Sequence, residues 1–296
     1  MLNLTGELRR PGCVLRYADS ANSAGMPGTG GTGGGGGTGG GGHTGNIGGV
    51  ATPPVVFLHG AGIDHHVFDP QFHAVSEAGF RTVTWDLRGH GQSRPNSETF
   101  TAELALADLA ALCAELELDR PALIGHSLGG NIAQEAVRRE PGAFSGLAIV
   151  DSTWNTGPLT PAQRKLLCMA APMLKLIPAR SLPKTMANAS AVTSAAREDA
   201  IRAFSRLSKR EFVEIWQATT TFVAPDPGYR TAVPLCLVVG DKDKTGNIAT
   251  AMRAWAAADN TTLDVVPSAG HLAPRDSPGE VSRILLRFLE ELVNPA

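Results

Sequence analysis

The chain has 296 residues, of which 43% are hydrophobic and 18% are charged, as in a globular protein that buries a sizeable core. A formal net charge of −2 without a clustered basic stripe, and only 5% aromatic residues, exclude a nucleic-acid-binding surface built on charge or stacking. No apolar run is long enough to span a membrane, and the N-terminal residues do not form a secretory signal. We therefore expect a cytoplasmic protein without membrane insertion, with reduced thiols at Cys13, Cys113, Cys168 and Cys236. Its oligomeric state stays open.

The N-terminal region divides into two parts of different composition. Residues 1–24 contain a weakly alternating stretch, Glu7 to Ala18, which predicts an edge hairpin that turns at Pro11-Gly12. Residues 25–49 are almost only glycine, threonine and a few small residues, which bury too little apolar surface to offset the entropy of ordering. This segment lacks the glycine patterns of phosphate-binding loops. We expect a flexible insertion.

From residue 50 the pattern alternates between short apolar runs and helical segments. The predicted strands are Val55–Leu58, Arg81–Trp85, Ala122–Ile124 and Leu147–Val150, and the predicted helices between them are Asp64–Ala78, Thr101–Leu118 and Asn131–Arg139. Such alternation predicts an α/β fold with a doubly wound, mostly parallel sheet. Right-handed crossovers then bring the loops after the strands to one rim of the sheet.

The alternation stops after the sixth predicted strand and resumes about eighty residues later. Helical segments rich in Leu and Met occupy 153–233, at Pro161–Ile177, Ser194–Leu207 and Lys209–Phe222. Because this segment leaves the rim and returns to it, we expect a helical cap inserted between two parts of a core domain, 50–152 and 234–296. The second part is predicted to contain strands Leu235–Val239 and Leu263–Val266 and helices Asn247–Ala258 and Pro278–Val293, the last with a capping box of Ser277 and Glu280.

A G-x-S-x-G pentapeptide, Gly125-His126-Ser127-Leu128-Gly129, joins a predicted strand to a predicted helix. Strand, tight turn and helix form the context of a nucleophile elbow, in which a strained turn exposes the serine hydroxyl. Because Gly125 and Gly129 have no side chain, the strand and the helix can pack closely on either side of Ser127. The free N–H groups at the start of the helix would favour negative charge beside Ser127.

With this elbow, the chain resembles the α/β-hydrolase superfamily along nearly its whole length apart from the glycine-rich insertion. The motifs that carry the resemblance are His59-Gly60-Ala61-Gly62, Asp86-Leu87-Arg88-Gly89-His90-Gly91, Gly125-His126-Ser127-Leu128-Gly129-Gly130, Gly240-Asp241-Lys242-Asp243 and Gly270-His271-Leu272. The resemblance implies a catalytic triad of Ser127, His271 and Asp243, and an oxyanion hole made by the N–H groups of Ala61 and Leu128. Asp241 and, more weakly, Asp151 remain alternatives for the acid.

The triad assignment implies a serine hydrolase that needs no cofactor or metal and acts on a small to medium, largely apolar ester or lactone. Trp154, Met169, Met173, Trp216 and Phe222 are predicted to line the substrate pocket. His59, His90, Asp86 and Arg88 are interpreted as scaffold, and the His126 side chain is expected to point away from the hydroxyl. We expect no metal at His65 and His66, because neighbouring residues of a helix do not share a face.

Several activities of the same superfamily stay open from the sequence. Serine at the elbow argues against epoxide hydrolases and haloalkane dehalogenases, which carry aspartate there. Carbon–carbon bond hydrolases, thioesterases and cofactor-free haloperoxidases or perhydrolases keep the serine. A non-catalytic ligand-binding receptor of the same fold is the alternative from another class, although such proteins usually lose a triad residue.

Overall fold

An eight-stranded, mostly parallel sheet between layers of helices organises the computed structural model, which describes residues 1–23, 45–47 and 50–294. The strands are β1 (Gly6–Arg10), β2 (Cys13–Asp19), β3 (Gly45–Ile47), β4 (Val50–Thr52), β5 (Val55–Leu58), β6 (Thr82–Trp85), β7 (Ala122–His126), β8 (Gly146–Val150), β9 (Leu235–Gly240) and β10 (Leu263–Val266). The α-helices are α1 (Asp69–Glu77), α2 (Ala102–Glu115), α3 (Leu128–Arg139), α4 (Pro161–Leu174), α5 (Leu182–Ser190), α6 (Ser194–Phe204), α7 (Lys209–Thr221), α8 (Ile248–Ala258), α9 (Ala273–Asp276) and α10 (Pro278–Val293).

The order of the main sheet is β1-β2-β6-β5-β7-β8-β9-β10. The β1–β2 hairpin and its pairing with β6 are antiparallel, and all the other pairs are parallel. The predicted α/β fold with a doubly wound, mostly parallel sheet is therefore confirmed. The chain passes from β5 to β6 on one side and then returns to β7 on the other, so the loops after β5 and β7 lie next to each other at a switch point, where α/β proteins bind ligands.

Successive residues of the central strands face opposite sides of the sheet and supply two hydrophobic cores. Val55 and Phe57 of β5 pack in one core, and Val56 and Leu58 pack in the other. Both sides are covered by helices, so all four residues of β5 are buried. The continuous apolar runs in the sequence reflect this two-sided burial.

The predicted glycine-rich insertion, residues 25–49, lies largely outside the described residues. Its described part, Gly45–Ile47, pairs with Val50–Thr52 as a short antiparallel ladder, so these three residues form a strand and not a flexible loop. The thiols of Cys13, Cys113 and Cys236 are free, whereas the Cys168 side chain is outside the described residues.

Helices α4 to α7 lie between β8 and β9, where the sequence predicts helical segments. Helix α5 was not predicted. The predicted capping box of α10 is wrong, because the Ser277 hydroxyl donates to the Pro267 carbonyl and the Glu280 carboxylate pairs with Arg283. Within the described residues, no helix combines the length and the apolar character needed to cross a lipid bilayer.

Candidate active site

The turn between β7 and α3 holds Ser127 in a strained conformation, with φ 51° and ψ −118°. Close packing around the turn holds this conformation, and it requires glycine at two positions. A Cβ on Gly125 would lie 2.6 Å from the Cα of Gly130, and a Cβ on Gly129 would collide with the Leu58 carbonyl. The Ser127 N–H donates to the Val150 carbonyl at 3.1 Å, and its own carbonyl accepts from Asn131 N–H. This geometry is that of a nucleophile elbow.

Three side chains predicted from the sequence form one hydrogen-bonded row. His271 Nε2 lies 3.0 Å from Ser127 Oγ, and His271 Nδ1 lies 3.0 Å from Asp243 Oδ2. Since a carboxylate can only accept, Nδ1 is the donor to Asp243, and the neutral ring then leaves Nε2 free to accept the serine proton. The row can therefore remove a proton from Ser127.

The two aspartates after β9 have different environments. Burial alone would raise the pKa of Asp243, but the charge and hydrogen bond of His271 and the N–H of Thr245 outweigh burial and lower that pKa. Asp241 is exposed and pairs with Lys242 at 3.0 Å. The structure thus places Asp243, and not Asp241, against His271.

Asp151, the third candidate acid, lies at the end of β8. Its Oδ1 accepts from Gly240 N–H at 2.8 Å, whereas its Oδ2 has no partner among the described residues. Burial and the nearby Asp243 carboxylate raise its pKa well above the usual range. A neutral, buried acid is poorly suited to stabilise an imidazolium.

The loop after β5 lies directly against the elbow. A Cβ on Gly60 would lie 3.0 Å from Ser127 Cβ, and Ala61 faces the same cavity as Ser127. His59 fixes the loop, because its Nδ1–H donates to the Gly60 carbonyl at 2.8 Å and its Nε2 accepts Leu87 N–H at 2.9 Å. Leu128 is the first residue of α3, so its N–H has no acceptor within the helix.

The residues interpreted as scaffold, His59, Asp86, Arg88 and His90, are buried, and Asp86 and Arg88 are held by polar contacts. Asp86 accepts hydrogen bonds from His65 N–H, from the His65 ring and from Gln92 N–H. The Arg88 guanidinium binds both oxygens of Asp108, at 2.6 and 2.8 Å. Neither side chain lines the cavity beside Ser127. These contacts hold the loop after β6 in place.

The His126 side chain is buried and is held against the loop that carries His271. His126 is among the residues around the cavity beside Ser127, and its Nε2 lies 2.7 Å from the His271 carbonyl oxygen, to which it donates. Burial lowers the pKa of His126 to about 3, so the ring is neutral at ordinary pH. His126 therefore ties the elbow to the loop that carries His271.

Ser127 and His271 open into a cavity of about 400 Å³ between the sheet rim and helices α5 to α7. Aromatic and aliphatic residues make up most of its walls, with a few polar residues among them. Besides Gly60, Ser127 and His271, the lining residues are Ala61, Ile63, His126, Met186, Asn188, Ala189, Ser190, Phe204, Phe212, Trp216, Thr219, Lys244, Thr245 and Leu272. Of the predicted lining, only Trp216 is among them.

The other four predicted lining residues lie elsewhere. Trp154 is buried against Trp255, with the two rings stacked 6.0 Å apart. Phe222 is buried in the core on one face of the sheet. Met169 and Met173 are 47% and 54% exposed, because α4 turns Ala171 and Leu174 inward instead. The pocket prediction is wrong for these four residues.

The sequence contained a signal for part of the true lining. Phe212, Trp216 and Thr219 of α7 are spaced by four and three residues, which places them on one face of a helix. Met186 could not be found this way, because its helix α5 was not predicted. The cavity is therefore lined by one face of α7, which the sequence could have indicated, and by α5, which was not predicted.

Asp64, His65 and His66 offer ligand atoms within 4.8 Å of one another. The expectation that the two histidines point apart is wrong, since their rings lie 4.0 Å apart in a 3₁₀ turn. The Nδ1 atoms are already engaged, by Asp86 for His65 and by Asp69 for His66. Each of the two rings therefore has a carboxylate partner.

Comparisons with known proteins identify the family to which this fold belongs. The model of the alpha/beta hydrolase family matches residues 55–284, so the chain belongs to this family. It is 38% identical over 77 residues to the non-heme chloroperoxidase CPO-A1 of Kitasatospora aureofaciens, which covers 26% of this chain and 28% of that protein. The chain aligns with about a third of the length of the first curated relatives that it matches.

Two solved structures share the fold over almost the full chain. A thermophilic esterase from Thermogutta terrifontis has 21% identity and a TM-score of 0.72, and the match covers 99% of each chain. The enol-lactonase from Burkholderia xenovorans LB400 has 18% identity and a TM-score of 0.71, covering 97% of this chain and 100% of that one. At these identities the likeness shows the fold alone.

Proposed function

We propose that this protein is a serine hydrolase that cleaves small to medium, largely apolar carboxylic esters or lactones through an acyl-enzyme. The observation that carries the proposal is the row Ser127–His271–Asp243, with two 3.0 Å contacts, at the base of an apolar cavity. In this proposal helices α4 to α7 form the cap, and the esterase and enol-lactonase neighbours are consistent with the substrate class.

The geometry suggests the order of steps. Ser127 Oγ attacks the ester carbonyl while His271 Nε2 takes its proton, and Asp243 stabilises the imidazolium. The N–H groups of Ala61 and Leu128 would bind the oxyanion; losing one such donor typically costs about 10²–10³ in rate. His271 then protonates the leaving alcohol, and water, activated by the same ring, releases the acid.

The cavity walls support the preference for apolar substrates. Phe204, Phe212 and Trp216 line the same cavity as Ser127 and supply apolar surface, and each buried methylene of an acyl chain contributes about 0.8 kcal/mol. A volume of about 400 Å³ favours short or medium chains. We expect kcat/KM to rise with acyl length up to a limit and then to fall.

A fluorophosphonate probe tests the proposal directly. Wild type and the exposed control Ser97→Ala should be labelled, whereas Ser127→Ala should not be, and His271→Ala should react far more slowly. A panel of p-nitrophenyl esters, lactones and thioesters, assayed on the same variants, then shows which type of bond the enzyme cleaves. Labelling that survives Ser127→Ala, or a wild type that neither labels nor turns over any ester, would contradict the proposal and favour a binding protein.

A perhydrolase reaction is the second candidate, favoured by the similarity to the non-heme chloroperoxidase. In this reaction hydrogen peroxide, in place of water, attacks the acyl-enzyme, so that a peracid leaves and Ser127 is regenerated. Adding hydrogen peroxide to the ester assay should then yield peracid in place of carboxylic acid. Unchanged carboxylic acid yield would exclude this candidate.

A further inference from the structure

Lys244 occupies a distinctive position in the cavity next to Ser127. It directly follows Asp243, whose carboxylate is held by His271 on one side and by Thr245 N–H, at 2.8 Å, on the other. The chain therefore wraps around the Asp243 carboxylate, and this turn brings Lys244 and Thr245 to the cavity wall. Lys244 is exposed, so it lies at the outer part of the cavity.

The described residues that line the cavity include one positively charged side chain and no negatively charged one. Lys244 is the one described lining residue with a permanent charge, and none of the described lining residues is an aspartate or glutamate. Burial lowers the pKa of the His126 ring to about 3, so this ring adds no positive charge at neutral pH. Asp243 lies behind His271 and is engaged by it. Among the described residues, a mostly apolar cavity thus has one permanently charged lining residue, Lys244, and that residue is exposed.

This charge is not neutralised by neighbouring side chains. Among the described residues no carboxylate lies within 4 Å of the Lys244 amine, whereas Lys242, two positions earlier, pairs with Asp241 at 3.0 Å. Lys242 is also exposed, but it does not line the cavity. Lys244 therefore lines the cavity without an ion-pair partner among the described residues, whereas Lys242 is paired and lies outside the cavity lining. Lys242 can serve as the control for Lys244.

On the basis of this position we infer that Lys244 selects esters that carry a negatively charged group, such as a carboxylate, beyond the apolar part of the substrate. The inference rests on the proposed hydrolase function and refines its substrate class. The amine would pair with the anionic group at the cavity mouth while Ser127 attacks the ester carbonyl deeper inside. Since the lysine is exposed, the preference should be modest and should weaken with salt.

Matched pairs of esters that differ in charge and little in shape test this inference on the full chain. 4-Acetoxybenzoate against 4-acetoxybenzamide places the charge on the leaving group, and phenyl hydrogen adipate against phenyl adipamate places it on the acyl group. The readout is the ratio of kcat/KM for the charged ester to that for the neutral ester, at low salt and at high salt. Comparing this ratio between variants cancels the intrinsic reactivities of the esters.

We expect Lys244→Met to lower this ratio about two- to fivefold in at least one pair, which corresponds to a single exposed ion pair. Lys242→Met should keep the wild-type ratio, and high salt should lower the ratio of wild type but not of Lys244→Met. A ratio that Lys244→Met leaves unchanged in both pairs, or that Lys242→Met lowers equally, would overturn the inference. If esters are hydrolysed in a Ser127-dependent manner without this effect, the proposed function stands and only the inference fails; if no ester is hydrolysed, both fail.

Discussion

Two carboxylates, on Asp241 and Asp243, lie two positions apart in one loop and have different surroundings. Asp243 Oδ2 contacts His271 Nδ1 and its Oδ1 accepts Thr245 N–H, whereas Asp241 is exposed beside Lys242. We expect Asp243→Asn to lower kcat by about 10³–10⁴, because an amide no longer fixes the ring tautomer or stabilises the imidazolium. Steady-state kinetics on a p-nitrophenyl ester measure this loss.

Asp241→Asn is the matched control and should change kcat less than about twofold, since its ion pair is exposed. Equal decreases of kcat in Asp241→Asn and Asp243→Asn would show that the contact with His271 does not decide the rate. At this scale the sequence predicts the acid through the spacing of a family motif. It could not predict that Asp151 keeps one carboxyl oxygen without a described partner, because that depends on packing between β8 and β9.

At the scale of elements, the contact between β5 and the elbow depends on the absence of a side chain at residue 129. A Cβ on Gly129 would collide with the carbonyl of Leu58, which is backbone and cannot turn away. We expect Gly129→Ala to lower the free energy of unfolding by about 2–3 kcal/mol or more and to reduce kcat. Urea denaturation followed by circular dichroism measures the stability.

Gly279 is the corresponding control within a helix. It lies near the start of α10, and a Cβ there meets nothing within 4 Å. Gly279→Ala should therefore stabilise the protein by up to about 1 kcal/mol through helix propensity. A neutral Gly129→Ala would mean that the elbow and β5 are packed less closely than the structure shows.

The sequence predicts the bounds of elements with strong local patterns to within a few residues. It does not predict how one element packs against another. The strand Leu263–Val266 and the helix Pro278–Val293 have the predicted bounds, because apolar periodicity and an N-terminal proline mark them. Whether Met169 and Met173 face the cavity depends on how α4 is rotated against its neighbours. That rotation is decided by the inward packing of Ala171 and Leu174, which sequence spacing alone does not select.

At the scale of the whole molecule, the helices inserted between β8 and β9 are joined to the His271 loop through Asp276. Its carboxylate accepts from Val192 and Thr193 N–H, which connect α5 to α6, and from Gly270 N–H, at 2.8–3.0 Å. The carboxylate thus holds one segment of the inserted helices and the residue before His271 with the same pair of oxygens. Hydrogen bonds to a charged group are worth about 1.5–3 kcal/mol each.

Asp276→Ala should therefore loosen both segments together, because it removes both acceptor oxygens. We expect the free energy of unfolding to fall by about 1.5–3 kcal/mol or more, amide hydrogen exchange to accelerate at Val192, Thr193 and Gly270, and kcat to fall as His271 loses its fixed position. Asp264→Ala, which removes a surface pair with Arg287, should change stability by less than about 1 kcal/mol and leave exchange at these amides unchanged. Faster exchange at Val192 and Thr193 with Gly270 still protected would show that the two segments are held independently, because a shared carboxylate must release both.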